Sequence, residues 1–238
     1  MADLQAMIEP LPAEIRENIT ANPVVFLERL TEVLDLSEEI FLIADKTNSI
    51  GSEYEPSDLV NLEDYPFYRN RSGMQLRAVV IPDALAMSEA ARQEGIRLVF
   101  SSTYRSYDYQ KTVYERNVRE LGETQANRES AKPGTSQHQL GTAVDFGSIT
   151  DAFADTPAGK WLYANAWKYG FSLSYPDGYE ELTGYRHEIW HYRWISRPAA
   201  YLEHAYFDSL QHYLLLFLDT NRETLTRVYN GAQSREAI

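Results

Sequence analysis

The stretch Tyr185-Arg186-His187-Glu188-Ile189-Trp190-His191-Tyr192-Arg193-Trp194-Ile195 decides the fold, because it spells H-E-x-x-H and can be read in two ways. On a helix, that spacing sets two imidazoles on one face to grip a zinc ion, with the glutamate beside them as general base. The composition argues against a helix: aromatic and β-branched residues crowd the stretch, and it holds no alanine or leucine. In a strand, positions 187 and 191 stand about 13 Å apart, too far to share one ion whose ligands lie about 2 Å away. The helical zinc-peptidase reading therefore falls, and residues 189–195 are expected to be a strand.

The neighbouring segments follow the same α+β pattern. Phe171–Tyr175 and Thr142–Phe146 have strand composition, and Ile96–Ser101 alternates well enough to be another strand. Residues 83–94 are rich in helix formers and stop at Gly95. Ser106 is an N-cap for a helix to Leu121, with Gly122 just past its end, and Gln110, Tyr114, Val118 and Leu121 share one face. Thr156-Pro157 opens another helix that runs to Tyr169 and stops at Gly170. Residues 126–141 are polar and punctuated by glycine, so a loop is expected there. Residues 45–66 read as an extended loop laid over a core.

At the ends, Asn22-Pro23 followed by Val24, Leu27, Leu30, Val33 and Leu34 signals a capped amphipathic helix, one of two short helices expected before residue 44. Leu202, Tyr206, Leu210, Tyr213 and Phe217 make a helical packing stripe near the C-terminus. The fold class is α+β: a small mixed, mainly antiparallel sheet flanked by helices, with helical N- and C-terminal extensions. The expected divisions are an acidic helical extension over 1–44, a core over 45–197 and a helical extension over 198–238.

Composition excludes several chemistries. The 238 residues contain no cysteine, which removes disulfides, thiolate metal sites and a cysteine nucleophile, so any metal must sit on His, Asp or Glu. The net charge of −13 is uneven: residues 1–64 hold 15 acids and 3 bases, and the rest 20 acids and 19 bases. Such an acidic arm repels nucleic acid and anionic membrane surfaces, so neither is expected as a partner. The longest apolar run, Leu214–Leu218, is far short of the roughly 20 residues of a membrane span, and a soluble protein is expected. The first thirty residues lack the basic flank and apolar core of a secretory signal, leaving a trimmed signal or a cytoplasmic protein as the readings.

Ser136-Gln137-His138-Gln139-Leu140-Gly141-Thr142-Ala143-Val144-Asp145 brings a histidine and an aspartate together across a loop-to-strand transition. The small Gly141 and Ala143 between them suit a chain packed closely beside an ion. Glu188 and His191 supply the remaining parts, a neutral ligand and a carboxylate free to act as base. Two histidines and one carboxylate, with an open position for water, is a catalytic zinc arrangement.

These residues resemble a known family. S-x-H-x-x-G-x-A-x-D followed by E-x-W-H is similar to the pattern of the zinc D-alanyl-D-alanine carboxypeptidases of the VanY type. That group also includes D-Ala-D-Ala dipeptidases, LD-carboxypeptidases, phage endolysin peptidases and the Hedgehog signalling domain. Asp45-Lys46 with Tyr54–Val60 looks like the family's lead-in, Ser102-Thr103-Tyr104-Arg105-Ser106-Tyr107 with Gln110 like its arginine motif, and Tyr169-Gly170-Phe171, Tyr175-Pro176 and Thr183-Gly184-Tyr185 like its later core. The likeness covers residues 45–197.

The resemblance implies zinc on His138, Asp145 and His191, with Glu188 as general base and then acid. Arg105 would hold the scissile carbonyl oxygen, and Ser136 and Gln110 would contact the substrate's terminal region. Trp190 is read as a core wall beside the metal. His187 departs from the family pattern and is read as a non-ligand at the rim; His204 and His212 fall on the C-terminal helix without chemistry. The expected activity is removal of the terminal D-alanine from peptidoglycan stem peptides, by a DD cut. An LD cut, an endopeptidase on the same scaffold and a zinc-containing binding protein are the alternatives. Peptidoglycan as substrate implies an extracytoplasmic location.

Overall fold

The computed structural model describes residues 2–227 and residue 229. Residues 230–238, the end of the expected 198–238 extension, lie outside the described residues. Among the described residues, seven strands form two sheets. In the larger, β2 (Tyr68–Arg69), β4 (Val99–Ser102), β5 (Ala143–Phe146), β7 (His191–Trp194) and β6 (Phe171–Leu173) lie side by side in that order. Only the β2–β4 pair is parallel. A separate two-stranded antiparallel sheet pairs β1 (Leu59–Asn61), inside the loop expected over 45–66, with β3 (Gln75–Arg77).

The central strand β5 and its neighbour β7 are buried along their whole length. The β4–β5 ladder slips between Phe100 and Ser102, so that Phe100 pairs with Phe146 and Ser102 with Asp145. This irregularity turns the end of β4 toward the loop that follows it.

α-Helices surround the sheets. α4 (Ile81–Gln93), α5 (Tyr107–Leu121) and α7 (Pro157–Asn165) match the expected helices, with α7 finishing in a 3₁₀ turn before Gly170. Ser106 and Thr156 cap α5 and α7 with their side chains. Gly170 is required where it stands: its φ is 82°, and an added Cβ would lie 2.8 Å from Trp194 Nε1. α6 (Glu123–Glu129) lies partly where a loop was expected. Ala126 is its one buried residue, so it carries no apolar stripe to read. α8 (Glu180–Thr183) is a single turn.

The ends differ from expectation in helix count. Residues 1–44 form three helices, α1 (Ala2–Ile8), α2 (Ala13–Ala21) and α3 (Pro23–Leu34), rather than two. The C-terminal stripe is split between α9 (Arg197–Tyr206) and α10 (Gln211–Thr220). Asp208 and Ser209, with φ of 53° and 57°, break the helix between them. Both extensions enter the common core: α3 packs on α9, and Phe26 meets Tyr206 and Phe217 edge-on with centroids 5.2 and 5.9 Å apart. The fully buried Arg193 of β7 ties down the chain after α3, donating to the carbonyls of Ile40 (2.6 Å) and Leu42 (2.9 Å).

Among the described residues, no helix is long and apolar enough to cross a membrane.

Candidate active site

The sheet brings the sequence motifs together. Asp145 of β5 and His191 at the start of β7 are direct partners in the antiparallel register. His138 sits in a 3₁₀ turn over Gln137–Leu140, capped by Ser136, whose Oγ accepts from the His138 N–H at 3.3 Å. That turn is tied to the end of β4, because Arg105 N–H donates to the His138 carbonyl at 3.1 Å. Residues 187–190 form no helix and no strand; the strand begins at His191, two residues later than expected. Gly141 serves a different need from the one expected. It ends the 3₁₀ turn at φ 70°, and a Cβ there would press on Arg77 and Leu59 rather than on the metal side.

His138, Asp145 and His191 are all buried, and their candidate ligand atoms lie within 4.8 Å of one another; no other such group occurs among the described residues. Their proton arrangement is fixed from outside. His138 Nδ1 lies 2.7 Å from the Thr103 carbonyl, which can only accept, so Nδ1 carries the proton and Nε2 is a bare lone pair. Burial, then the nearby Arg105, push His138 down to about 4, which keeps the ring neutral. Its Nε2 has no hydrogen-bond donor among the described residues and faces Asp145 Oδ2 at 3.2 Å.

For His191, Nε2 lies 3.2 Å from Gln137 Oε1, an oxygen that also accepts from Ser174 Oγ at 2.7 Å. Each ring nitrogen of His191 thus faces an acceptor; with the proton on Nε2, toward Gln137, Nδ1 presents its lone pair to Asp145 Oδ1 at 2.9 Å, the tautomer that a metal on Nδ1 requires. Two imidazole lone pairs thus converge on a carboxylate. The Arg105 guanidinium, 3.4 Å from Asp145 Oδ2, favours its ionised form. Three acceptors facing one another with no proton to share is the arrangement a divalent cation resolves, and an N₂O donor set suits zinc.

The Gln137 amide is itself oriented by a buried ring. Gln137 Nε2 donates to Gln211 Oε1, and Gln211 Nε2 to Ser174 Oγ, both at 3.2 Å. Gln211 opens α10, so the C-terminal extension reaches the partner of a candidate metal ligand. Sequence reading missed Gln137 and Thr103, although both sit inside quoted motifs. It had no signal for Gln211.

Two further groups complete the site. Glu188 is held in a turn by its N–H to the Tyr175 carbonyl (3.0 Å) and its carbonyl to the His191 N–H (3.0 Å). Its Oε2 lies 3.8 Å from His191 Nδ1, and burial raises its carboxyl to about 7. Arg105 donates to Gln110 Oε1 (2.9 Å) and more weakly toward Asp145 Oδ2 (3.4 Å), leaving Nε without a partner among the described residues. Gln110 is fully buried and also donates to the Ala131 carbonyl at 2.7 Å. Both ends of its amide are engaged, so it orients Arg105 rather than projecting toward a ligand.

All seven expected residues line or support one cleft of about 360 Å³, which Trp190 helps to wall. Arg71, Arg116 and Arg186 also line it, giving the cleft a cationic character suited to a carboxylate-ended ligand. His187, expected at the rim, does not line the cleft; it lines a second cavity.

A model of the VanY family, described as D-alanyl-D-alanine carboxypeptidase, matches residues 73–197. The chain is 36% identical over 176 residues to YodJ of Bacillus subtilis (strain 168), covering 71% of this chain and 64% of that protein. It thus spans less than two thirds of that relative's length. Among solved structures, the LdcB LD-carboxypeptidase is similar with a TM-score of 0.66 and 33% identity, covering 74% of this chain and 84% of that one. A zinc-bound variant of the vancomycin resistance D,D-pentapeptidase VanY is similar with a TM-score of 0.63 and 28% identity, covering 75% and 99%.

Proposed function

The chain belongs to the VanY family of D-alanyl-D-alanine carboxypeptidases, and from that premise we propose that it is a zinc carboxypeptidase removing the terminal D-alanine from peptidoglycan stem peptides by a DD cut. The observation that carries this reading is the convergence of His138 Nε2, His191 Nδ1 and Asp145, each held as an acceptor, beside an acid that titrates near neutrality. The VanY pentapeptidase, similar to this chain, was solved with Zn(II).

His138, Asp145 and His191 would hold the zinc, which when bound supplies a water of lowered pKa and polarises the peptide carbonyl. Glu188 takes the proton from the attacking water and returns it to the leaving amine; a carboxyl near 7 is matched to both transfers. Arg105, pinned by Gln110, donates to the carbonyl oxygen as negative charge develops there. Ser136 caps the turn carrying His138 and lines the cleft, where its hydroxyl contacts the substrate's end. Gln110 acts through Arg105. We assign the catalytic core to residues 45–197, with 1–44 and 198–238 as helical extensions. Acting on peptidoglycan places the protein outside the cytoplasmic membrane.

Mass spectrometry after incubation of the zinc-loaded protein with stem peptides tests the reading. Loss of one alanine from a pentapeptide ending in D-Ala-D-Ala is expected. Loss only from a tetrapeptide ending in one D-Ala would establish an LD cut instead, the reading that likeness to LdcB favours. Intact stems with metal bound would overturn carboxypeptidase function.

A further inference from the structure

Behind the wall that carries Glu188 lies a second cavity, of about 490 Å³, bounded by α7, α9, β6 and the turn between α9 and α10. His191 lines the catalytic cleft and the next residue of β7, Tyr192, lines this cavity, so the two lie on opposite faces of the sheet. The strap before β7 divides in the same way: Glu188 and Trp190 line the cleft, His187 and Ile189 the second cavity.

Two buried polar groups of this cavity have hydrogen-bonding capacity to spare. Glu203, 2% exposed, accepts from Ser172 Oγ at 2.8 Å through Oε1, and no other hydrogen bond reaches its carboxyl among the described residues. Tyr192, also 2% exposed, has a phenol with no partner among the described residues. Aromatic faces form part of the wall: Trp167, stacked on His204 at 4.0 Å, and the exposed rings of Tyr163 and Tyr179. Asp177 and Asp208 add two carboxylates, and neither lysine nor arginine lines the cavity among the described residues.

We propose that this cavity is a binding site for a primary ammonium group carried on a short aliphatic stem. Three features select that chemistry. An ammonium donates several hydrogen bonds, to the free oxygen of Glu203 and to the Tyr192 phenol oxygen. Its charge matches the three acids of the lining, which also holds His187 and His204, and gains from the aromatic faces, while its stem fills the apolar part beside Leu173 and Leu210. An anion is disfavoured beside three acids, and a neutral polyol gains nothing from their charge. Burial pushes Glu203 up to about 8, against the Ser172 hydrogen bond, and an ammonium group beside it would favour the carboxylate. The volume lies within the range of small-molecule pockets, about 300–1,000 Å³.

Calorimetric titration of the full chain with n-butylammonium, butyrate and N-acetylglucosamine tests this. Saturable 1:1 binding of n-butylammonium alone is expected, at least tenfold weaker in Glu203→Gln and severalfold weaker in Tyr192→Phe. The amine should raise the melting temperature of the parent protein and leave that of Glu203→Gln unchanged. No saturable amine binding, equal binding by Glu203→Gln and the parent, or binding of the sugar alone would each overturn the proposal. If Glu203→Gln fails to fold, Ser172→Ala and Tyr192→Phe carry the test, and unchanged amine affinity in both would refute it. Cleavage of stem peptides by Glu203→Gln in the absence of amine should match the parent, so this test stands apart from that of the peptidase reading.

Discussion

Replacing Gln211 with leucine should weaken zinc binding although the residue lies in α10, in the C-terminal extension. The substitution removes two buried hydrogen bonds of 3.2 Å, one accepting from Gln137 Nε2 and one donating to Ser174 Oγ. Leaving a buried donor unpaired costs about 1–3 kcal/mol, or a fall of about 2–8 °C in melting temperature for a chain of this size. The effect on metal is separate. With its N–H end released, the Gln137 amide can rotate, and an amide presenting N–H to His191 Nε2 no longer holds the His191 proton away from Nδ1. Loss of such a partner to a metal-bound histidine costs about 10–100-fold in affinity, equivalent to about 1.4–2.7 kcal/mol. The direct lesion, Gln137→Leu, should fall at the upper end and Gln211→Leu near tenfold, while Gln211→Glu, which still accepts from Gln137, should recover most of the loss. Competition against a zinc-binding dye, with the apo-protein's melting measured in parallel, separates folding from affinity. Parental zinc affinity in both leucine variants would refute the tautomer argument.

Glu188→Ala should abolish hydrolysis while about one zinc per chain remains by elemental analysis; loss of the metal would make Glu188 a ligand instead. Arg105→Ala should lower kcat by about 10²-fold or more, since it removes the donor to the developing oxyanion; turnover near that of the parent would take Arg105 out of that role. Gln110→Leu, which frees the Arg105 guanidinium, should lower kcat more than it raises KM, and a pure KM effect would make Gln110 a substrate contact after all. Glu203 has a folded pKa of about 8, above its unfolded value, so its contribution to stability is fully present below about pH 4.5 and is lost as pH rises through about 8. Glu203→Gln should therefore flatten the fall in stability between those limits, a fall of at most about 1.4 kcal/mol per pH unit. Parallel urea-unfolding curves for the two proteins across that range would contradict the buried-acid account.

The chemical groups of the site were legible in the sequence because they are local. His138 and Asp145 lie seven residues apart in one motif, and the register of two neighbouring strands places His191 opposite Asp145. Reading residues 185–195 by composition correctly removed the helix, yet it extended the strand too far: residues 187–190 lie outside it, and Glu188 stands with its Oε2 3.8 Å from His191 Nδ1. The helix stops at Gly95, Gly122 and Gly170 were equally legible, since each needs a positive φ. The missed α6 and the split between α9 and α10 share one cause. A short polar helix has no stripe to detect, and a stripe that continues at helical spacing conceals a two-residue left-handed break.

Orientation, unlike composition, is decided at long range. The tautomer of His191 depends on an amide 54 residues earlier in the chain, and that amide depends on another 74 residues later. The same separation explains why Glu203 gave no warning. On α9 it stands on the buried face, four residues after Ala199 and three before Tyr206, where its residue type gives no hint of burial. It is buried because Ser172 of the edge strand and the turn before α10 close over it. Both cases assign the C-terminal extension work that its own sequence does not reveal: α10 orients one histidine of the catalytic cleft, and α9 supplies the acid of the second cavity. The extension therefore acts on both sides of the sheet, so truncating it before Arg197 should cost metal affinity as well as stability. A truncated protein that stays folded and binds zinc as the parent does would show the ring around Gln137 to be dispensable.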